Sequence, residues 1–263
     1  MQLTKKNIEE IRLELARRRL LKFIELTKED YETGWFHREV CEALEDFFAD
    51  VVLKKSPRLM IFAPPRHGKS EIVSRRFPAW VFGLNPDIDI ISCSYSSDLS
   101  MRLNRDLQRI MDEKIYKKIF PKTELFGKNI KTVAHGNFLR NSEIFEIVNR
   151  KGVFRAAGVG QGITGSGCSM LIIDDPIKDA KEANSPTVQA SVEEWFQTTA
   201  FTRISPGGGC IVMLTRWHEY DLAGRILANA KKGEWKVIKY PAIAEEDEKY
   251  RKKGLLQSAN KSS

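Results

Sequence analysis

Two stretches hold side chains suited to work on a phosphate chain. The first is Ala63-Pro64-Pro65-Arg66-His67-Gly68-Lys69-Ser70, which follows the apolar run Leu59-Met60-Ile61-Phe62 and precedes a helix-like pattern. Strand, short loop and helix in that order form the setting of a phosphate-binding loop. Backbone N–H groups of residues 63–70 and the positive end of the helix would cradle phosphates. Lys69 would reach the β- and γ-phosphates, and the Ser70 hydroxyl would hold Mg2+. The usual first glycine of such a loop is Ala63 here, which fits only if that position needs no positive φ. Two prolines and Arg66 make the loop stiffer than a glycine-rich one.

The second stretch is Ser169-Met170-Leu171-Ile172-Ile173-Asp174-Asp175-Pro176, an apolar run ending in adjacent carboxylates. At a strand end facing a phosphate loop, the first acid belongs to the Mg2+ shell and the next orients and deprotonates the attacking water. Asp174 is expected in the metal role and Asp175 in the base role. Asp175 is one methylene shorter than glutamate, so the backbone or an added water must close the gap. A polar group ending the neighbouring strand can sense the γ-phosphate, and Thr215 has that place.

The elements that must position these residues follow from periodicity. Residues 5–27 read as one amphipathic helix with a basic face, and residues 40–51 as another behind the break Gly34-Trp35-Phe36-His37. Trp35, Phe36 or His37 is a candidate to stack on adenine, with an ordinary core aromatic as the alternative. Residues 71–82 read as a helix kinked or shortened by Pro78, and 88–95 as a buried parallel strand. Residues 97–111 form a helix carrying Arg102, Arg105 and Arg109 on one face, either a solvated face, a phosphate-tracking surface or an arginine finger for a neighbour's nucleotide.

Residues 114–151 suggest hairpin-like strands. Gly160-Gln161-Gly162-Ile163-Thr164-Gly165 has the dinucleotide spacing but precedes a strand rather than opening a helix, so that reading is rejected. Ser185-Pro186 marks an N-cap and first helical residue, for a helix to residue 199. Pro206-Gly207-Gly208-Gly209 reads as a hard break before a strand over 210–214; a helix over 221–230 and a strand over 235–240 follow. The expected architecture is α/β, a P-loop NTPase of ASCE/RecA-like type whose mostly parallel sheet has helices on both faces.

Composition narrows the classes. At 263 residues with a net charge of +8, the chain has room for a sizeable core and favours a polyanionic partner. Its four cysteines show no paired spacing and read as buried thiols in a reducing compartment. No apolar run approaches membrane-spanning length and no signal peptide is visible, so no membrane partner is expected. A guanine-nucleotide switch would carry Asn-Lys-x-Asp, and no such tetrapeptide occurs.

The motifs together resemble the ATPase domain of the large terminase subunit, the DNA-packaging motor of tailed bacteriophages. The resemblance rests on Pro64 to Glu71, Ser94-Tyr95-Ser96, Thr164-Gly165, Asp174-Asp175-Pro176 with Lys178, Trp195, Thr215-Arg216-Trp217-His218, Asp221-Leu222-Ala223-Gly224 and Pro241-Ala242-Ile243. It implies an ATP hydrolase using ATP and Mg2+ in the host-cell cytoplasm to thread double-stranded DNA into a procapsid. Portal protein and small terminase subunit are the implied partners, and a homo-oligomeric ring, usually a pentamer, the implied assembly. Arg66 would act on the γ-phosphate in cis, with Arg102 or Arg105 doing so in trans. The implied division is an N-terminal helical segment (1–30), an ATPase domain (31–240) and a linker (241–263), its acidic run a solvated helix. The linker leads towards a nuclease domain absent from this chain, so DNA cleavage is not expected. The competing reading is a stand-alone DNA-dependent P-loop ATPase or helicase-like protein, for which the length leaves little room for a second core.

Overall fold

The computed structural model describes residues 4–125, 138–163, 165 and 167–256. The strands are β1 (Arg58–Phe62), β2 (Ile90–Ser94), β3 (Ile144–Glu146), β4 (Val153–Gly158), β5 (Cys168–Asp174), β6 (Ile204–Leu214) and β7 (Lys236–Lys239). They form one sheet in the order β3-β4-β2-β5-β6-β1-β7, parallel at every pairing except β3–β4. The helices are α1 (Lys5–Arg18), α2 (Leu20–Thr27), α3 (Trp35–Val52), α4 (Phe77–Leu84), α5 (Ser97–Asp112), α6 (Lys114–Ile119), α7 (Ala180–Ala183), α8 (Pro186–Trp195) and α9 (Leu222–Asn229).

The fold is thus α/β with helices on both faces, as the sequence leads one to expect. Strand alternation sends Leu59 and Ile61 into one core and Met60 and Phe62 into the other. The first core lies under α1–α6, the second under α7–α9. All four cysteines are buried free thiols, Cys41 in the first core and Cys93, Cys168 and Cys210 in the second.

Several elements depart from the sequence-based expectation. The single helix over 5–27 is two, because Arg19 is extended at φ −132°, ψ 121°. Glu45 of α3 accounts for the break: its carboxylate accepts the Leu20 N–H at 2.7 Å and pairs with the Arg19 guanidinium at 2.9 Å. The basic face of this segment is largely tied down, Arg17 donating to the Ile119 carbonyl and Arg18 to Glu14. The helix containing Pro78 is short, since α4 begins only at Phe77. Residues Glu71–Arg76 are wound as a π-helix immediately before α4, and Pro78 falls in the first turn of α4, where its missing N–H costs least.

Residues 114–119 form α6 rather than a strand, and the antiparallel pair is β3–β4; residues 126–137 and Thr164 lie outside the described residues. The glycines at 207–209 do not break the chain but lie inside β6, where the register against β5 shifts. They suit close approach: a Cβ on Gly209 would sit 2.4 Å from the Phe47 Cζ of α3. Gly209→Ala is therefore expected to cost about 1–3 kcal/mol by overpacking, read as a lower urea midpoint.

Residues 241–256 contain no helix. They fold back on the domain, and Arg251, which donates to both Glu248 carboxylate oxygens and the Pro241 carbonyl, is buried.

Candidate active site

β1 delivers the chain to the carboxyl edge of the sheet, where residues 63–68 turn back and helix resumes at Lys69. Arg66 and Gly68 take positive φ (64° and 72°), whereas Ala63 does not, so the missing first glycine costs nothing. The loop is buttressed from behind. His67 Nδ1 donates to the Pro65 carbonyl at 2.9 Å. His37 Nδ1 accepts the Gly34 N–H at 2.9 Å, and its ring bonds the His67 backbone. Burial holds the His37 imidazole below its ordinary pKa, so the ring is neutral.

Because β6 lies between β1 and β5, its last residues meet both the loop and the acid pair. Lys69, only 5% exposed, donates to Asp175 Oδ1 at 2.9 Å and also to the Thr215 hydroxyl. The Thr215 N–H gives a second hydrogen bond to Asp175 Oδ1 at 2.8 Å. Asp175 adopts φ 47°, a left-handed conformation that aspartate tolerates better than most residues, and this turns its side chain towards the lysine. Asp174 is almost fully buried and accepts from Ser70 Oγ at 3.2 Å and Ser74 Oγ at 2.6 Å.

Lys69, Ser70, Asp174, Asp175 and Thr215 thus come together at the ends of three adjacent strands. Ser74 and Ser94 were not anticipated. Ser74 sits one turn beyond Ser70, and two hydroxyls four apart were the available signal. Ser94 is the register partner of Asp174, and its buried hydroxyl has no partner among the described residues.

The other candidates scatter. Arg66 is exposed at the tip of the loop. Arg102 and Arg105 are exposed on α5, away from the Lys69 cluster's hydrogen bonds, while Arg109 pairs with Asp106. Of the adenine candidates, Trp35 lines a cavity beside Ala63, Pro64 and Pro65. Phe36 is buried edge-on against Tyr240, and His37 is the buried buttress, so neither ring presents a face to that cavity.

Among the described residues no group of three or more His, Cys, Asp or Glu side chains could hold a metal unaided. A Mg2+ ion does not need one, since it binds through one or two protein oxygens and completes its shell with phosphates and water. The donors fit: a buried carboxylate, the Ser70 hydroxyl beside it and the orphaned Ser94 hydroxyl in the next strand.

Burial, and then the neighbouring Asp175, push the Asp174 carboxyl up to about 6. A raised carboxyl penalises the fold once it ionises: that stability is present below the unfolded pKa of about 4 and is lost as pH rises through about 6. Asp174→Asn removes the charge and can still reach both serines, accepting from one through its amide oxygen and donating to the other through its amide N–H. With a chelator present it is expected to unfold later than wild type at pH 7.5, by up to about 3 kcal/mol, and to show no such advantage at pH 4.

Solved structures that align with the chain include large terminases of bacteriophages. The chain aligns with the large terminase of bacteriophage HK97 at a TM-score of 0.50 and 12% identity, over 88% of this chain and 45% of that one. The large terminase of a thermophilic bacteriophage aligns at a TM-score of 0.42 and 12% identity, over 82% of this chain and 43% of that one. The ADP complex of that enzyme gives 0.41 and 11%, over 73% and 44%. The chain therefore spans less than half the length of these terminases, and the likeness to the HK97 protein, at 12% identity, is one of fold. No curated protein sequence matches it. The family profile described as "Terminase large subunit, T4likevirus-type, N-terminal" matches residues 60–258, which include the 63–70 loop, Asp174-Asp175 and Thr215. That match covers well over half of the sequence, and the chain belongs to the terminase large subunit family through that N-terminal region.

Proposed function

We propose that the chain is the ATPase motor of a phage packaging terminase, hydrolysing ATP with Mg2+ to move double-stranded DNA into a procapsid. The observation that carries this is Lys69, buried and shared between Asp175 and Thr215 directly beside the Asp174–Ser70 pair. A buried ammonium between a base candidate and a sensor candidate is poised to exchange partners. When a triphosphate enters the loop, Lys69 turns to the β- and γ-phosphates and releases Asp175 Oδ1. Asp175 then takes a proton from a water as that water's oxygen bonds the γ-phosphorus and the bond to the bridging oxygen breaks, giving ADP and phosphate. Ser70 and Asp174 would hold Mg2+, which neutralises charge on the phosphates. Thr215 loses its lysine partner in the same exchange, so strand β6 registers the phosphate state.

The net charge of +8 supports a polyanionic partner. Family membership supports reading double-stranded DNA, the portal protein and the small terminase subunit as partners, a homo-oligomeric ring as the assembly and the host cytoplasm as the location. No helix among the described residues is long and apolar enough to cross a membrane. The test is phosphate release from ATP by the purified chain at high concentration, with and without Mg2+ and duplex DNA. Mg2+-dependent release is expected. A chain that binds DNA but never turns over ATP would sink the proposal.

A further inference from the structure

Ser74 is fully buried, and its hydroxyl donates to Asp174 Oδ2 at 2.6 Å. A buried hydroxyl costs free energy unless it is bonded, and alanine in its place would carry no such cost. A serine inside a helix can turn its hydroxyl back to the carbonyl four residues earlier. Ser74 instead donates across to the end of β5. The other oxygen of the same carboxylate, Oδ1, accepts from Ser70 at 3.2 Å, a longer and weaker contact. The two oxygens of Asp174 are therefore not equivalent. Oδ2 is held from the helix, and Oδ1 faces Ser70 at the end of the phosphate loop.

The segment that carries Ser74 is fixed from two sides. Arg76 is buried; it donates to the Thr27 carbonyl at 3.0 Å and hydroxyl at 2.8 Å, at the end of α2, and pairs with Glu71 at 2.9 Å. Arg75 pairs with Asp106 of α5 at 2.9 Å. Both arginines lie in the π-helical turn Glu71–Arg76, a form frequent at functional sites. The strand sets the Asp174 backbone, but rotation of a carboxylate about its last bond is broad when left to itself. Ser74 supplies the restraint.

We propose that Ser74 is a positioning residue for the metal: it fixes Asp174 so that Oδ1, beside the Ser70 hydroxyl, is the oxygen presented to Mg2+. The inference rests on the reading of Ser70 and Asp174 as the Mg2+ donors and extends it one layer outwards. The Ser74 bond occupies neither Oδ1 nor the Ser70 oxygen, so both remain for the ion. Groups that hydrogen-bond a ligating carboxylate orient it, and losing one costs roughly 10- to 100-fold in metal affinity or activity.

The test titrates Mg2+ calorimetrically into the ADP-saturated chain, with ADP affinity measured separately in a chelator and a thermal melt to check the fold. Ser74→Ala is expected to weaken Mg2+ about ten-fold and to leave metal-free ADP affinity unchanged. Ser74→Cys fills the same space with a far weaker donor and is expected to weaken Mg2+ as well, which separates the hydrogen bond from the volume. Wild-type Mg2+ affinity in either folded variant overturns the positioning role and leaves the Mg2+ site standing. Equal weakening of metal-free ADP also overturns it, since the change is then a general loosening of the phosphate loop. If ADP-saturated wild type takes up no Mg2+, the reading of Ser70 and Asp174 fails and the role of Ser74 with it.

Discussion

Lys69→Ala is expected to lower ATP turnover by at least about 10^3-fold while the protein stays folded. The lysine is hydrogen-bonded to both the base candidate and the strand-end threonine. Its removal takes a positive charge from the γ-phosphate as negative charge spreads there, and takes from Asp175 the group whose departure frees it. The structural cost is smaller. Breaking a fully buried ion pair costs about 3–5 kcal/mol, but the Asp175 side chain is 29% exposed and keeps its hydrogen bond from the Thr215 N–H, so water takes over part of the lysine's role. Lys69→Met keeps most of the side-chain volume and separates charge loss from cavity formation. The check is steady-state phosphate release together with a thermal melt. Normal turnover in a folded Lys69→Ala protein would remove the phosphate-loop assignment. Loss of turnover with loss of the melting transition would show Lys69 to be structural first.

What could be read from the sequence was whatever local chemistry and period decide. The run from Leu59 through Ser70 declares strand, loop and helix by itself, because the apolar run stops at Ala63 and Pro64 to Gly68 intervene before Lys69-Ser70. The cap at Ser185 is likewise local, its side chain accepting the Val188 N–H, whereas Asp221, expected inside a helix, turns out to be the N-cap of α9. The acid pair is legible because a buried strand must end where two adjacent carboxylates start.

What could not be read depends on partners distant in sequence. The extended backbone at Arg19 is set by Glu45 on another helix. The glycines of β6 look like a break until α3 is laid across them with Phe47 against Gly209. Trp35, Phe36 and His37 are consecutive, and only the rotation of α3 decides which ring reaches the cavity. The segment after Pro241 has the composition of a solvated linker, and nothing local reveals that Tyr250 stacks on Trp35 or that Arg251 is buried. Ser94 illustrates the same limit, since a serine beside a buried aspartate is a statement about strand register.

Arg105→Ala is expected to leave the slow hydrolysis of dilute subunits untouched and to abolish the acceleration that appears when subunits meet. An arginine finger is worth about 10^3 to 10^5 in turnover, and such a residue must be exposed, unpaired within its own subunit and held on a rigid element. Arg105 meets these conditions: it is exposed on α5, and no ion pair involves it among the described residues. Arg109, one turn on, is engaged by Asp106, and Asp106 is also taken by Arg75. Arg102 is exposed on the same helix, with no ion pair among the described residues, and is the competing choice. Specific activity of wild type, Arg105→Ala and Arg102→Ala, measured over a wide range of protein concentration, separates the cases. A variant that matches wild type when dilute and fails to accelerate when concentrated identifies the trans residue. A defect already present at the highest dilution places that arginine in cis. Specific activity independent of concentration in the wild type would favour a motor that works alone, since a subunit with no neighbour's arginine to wait for gains nothing from company.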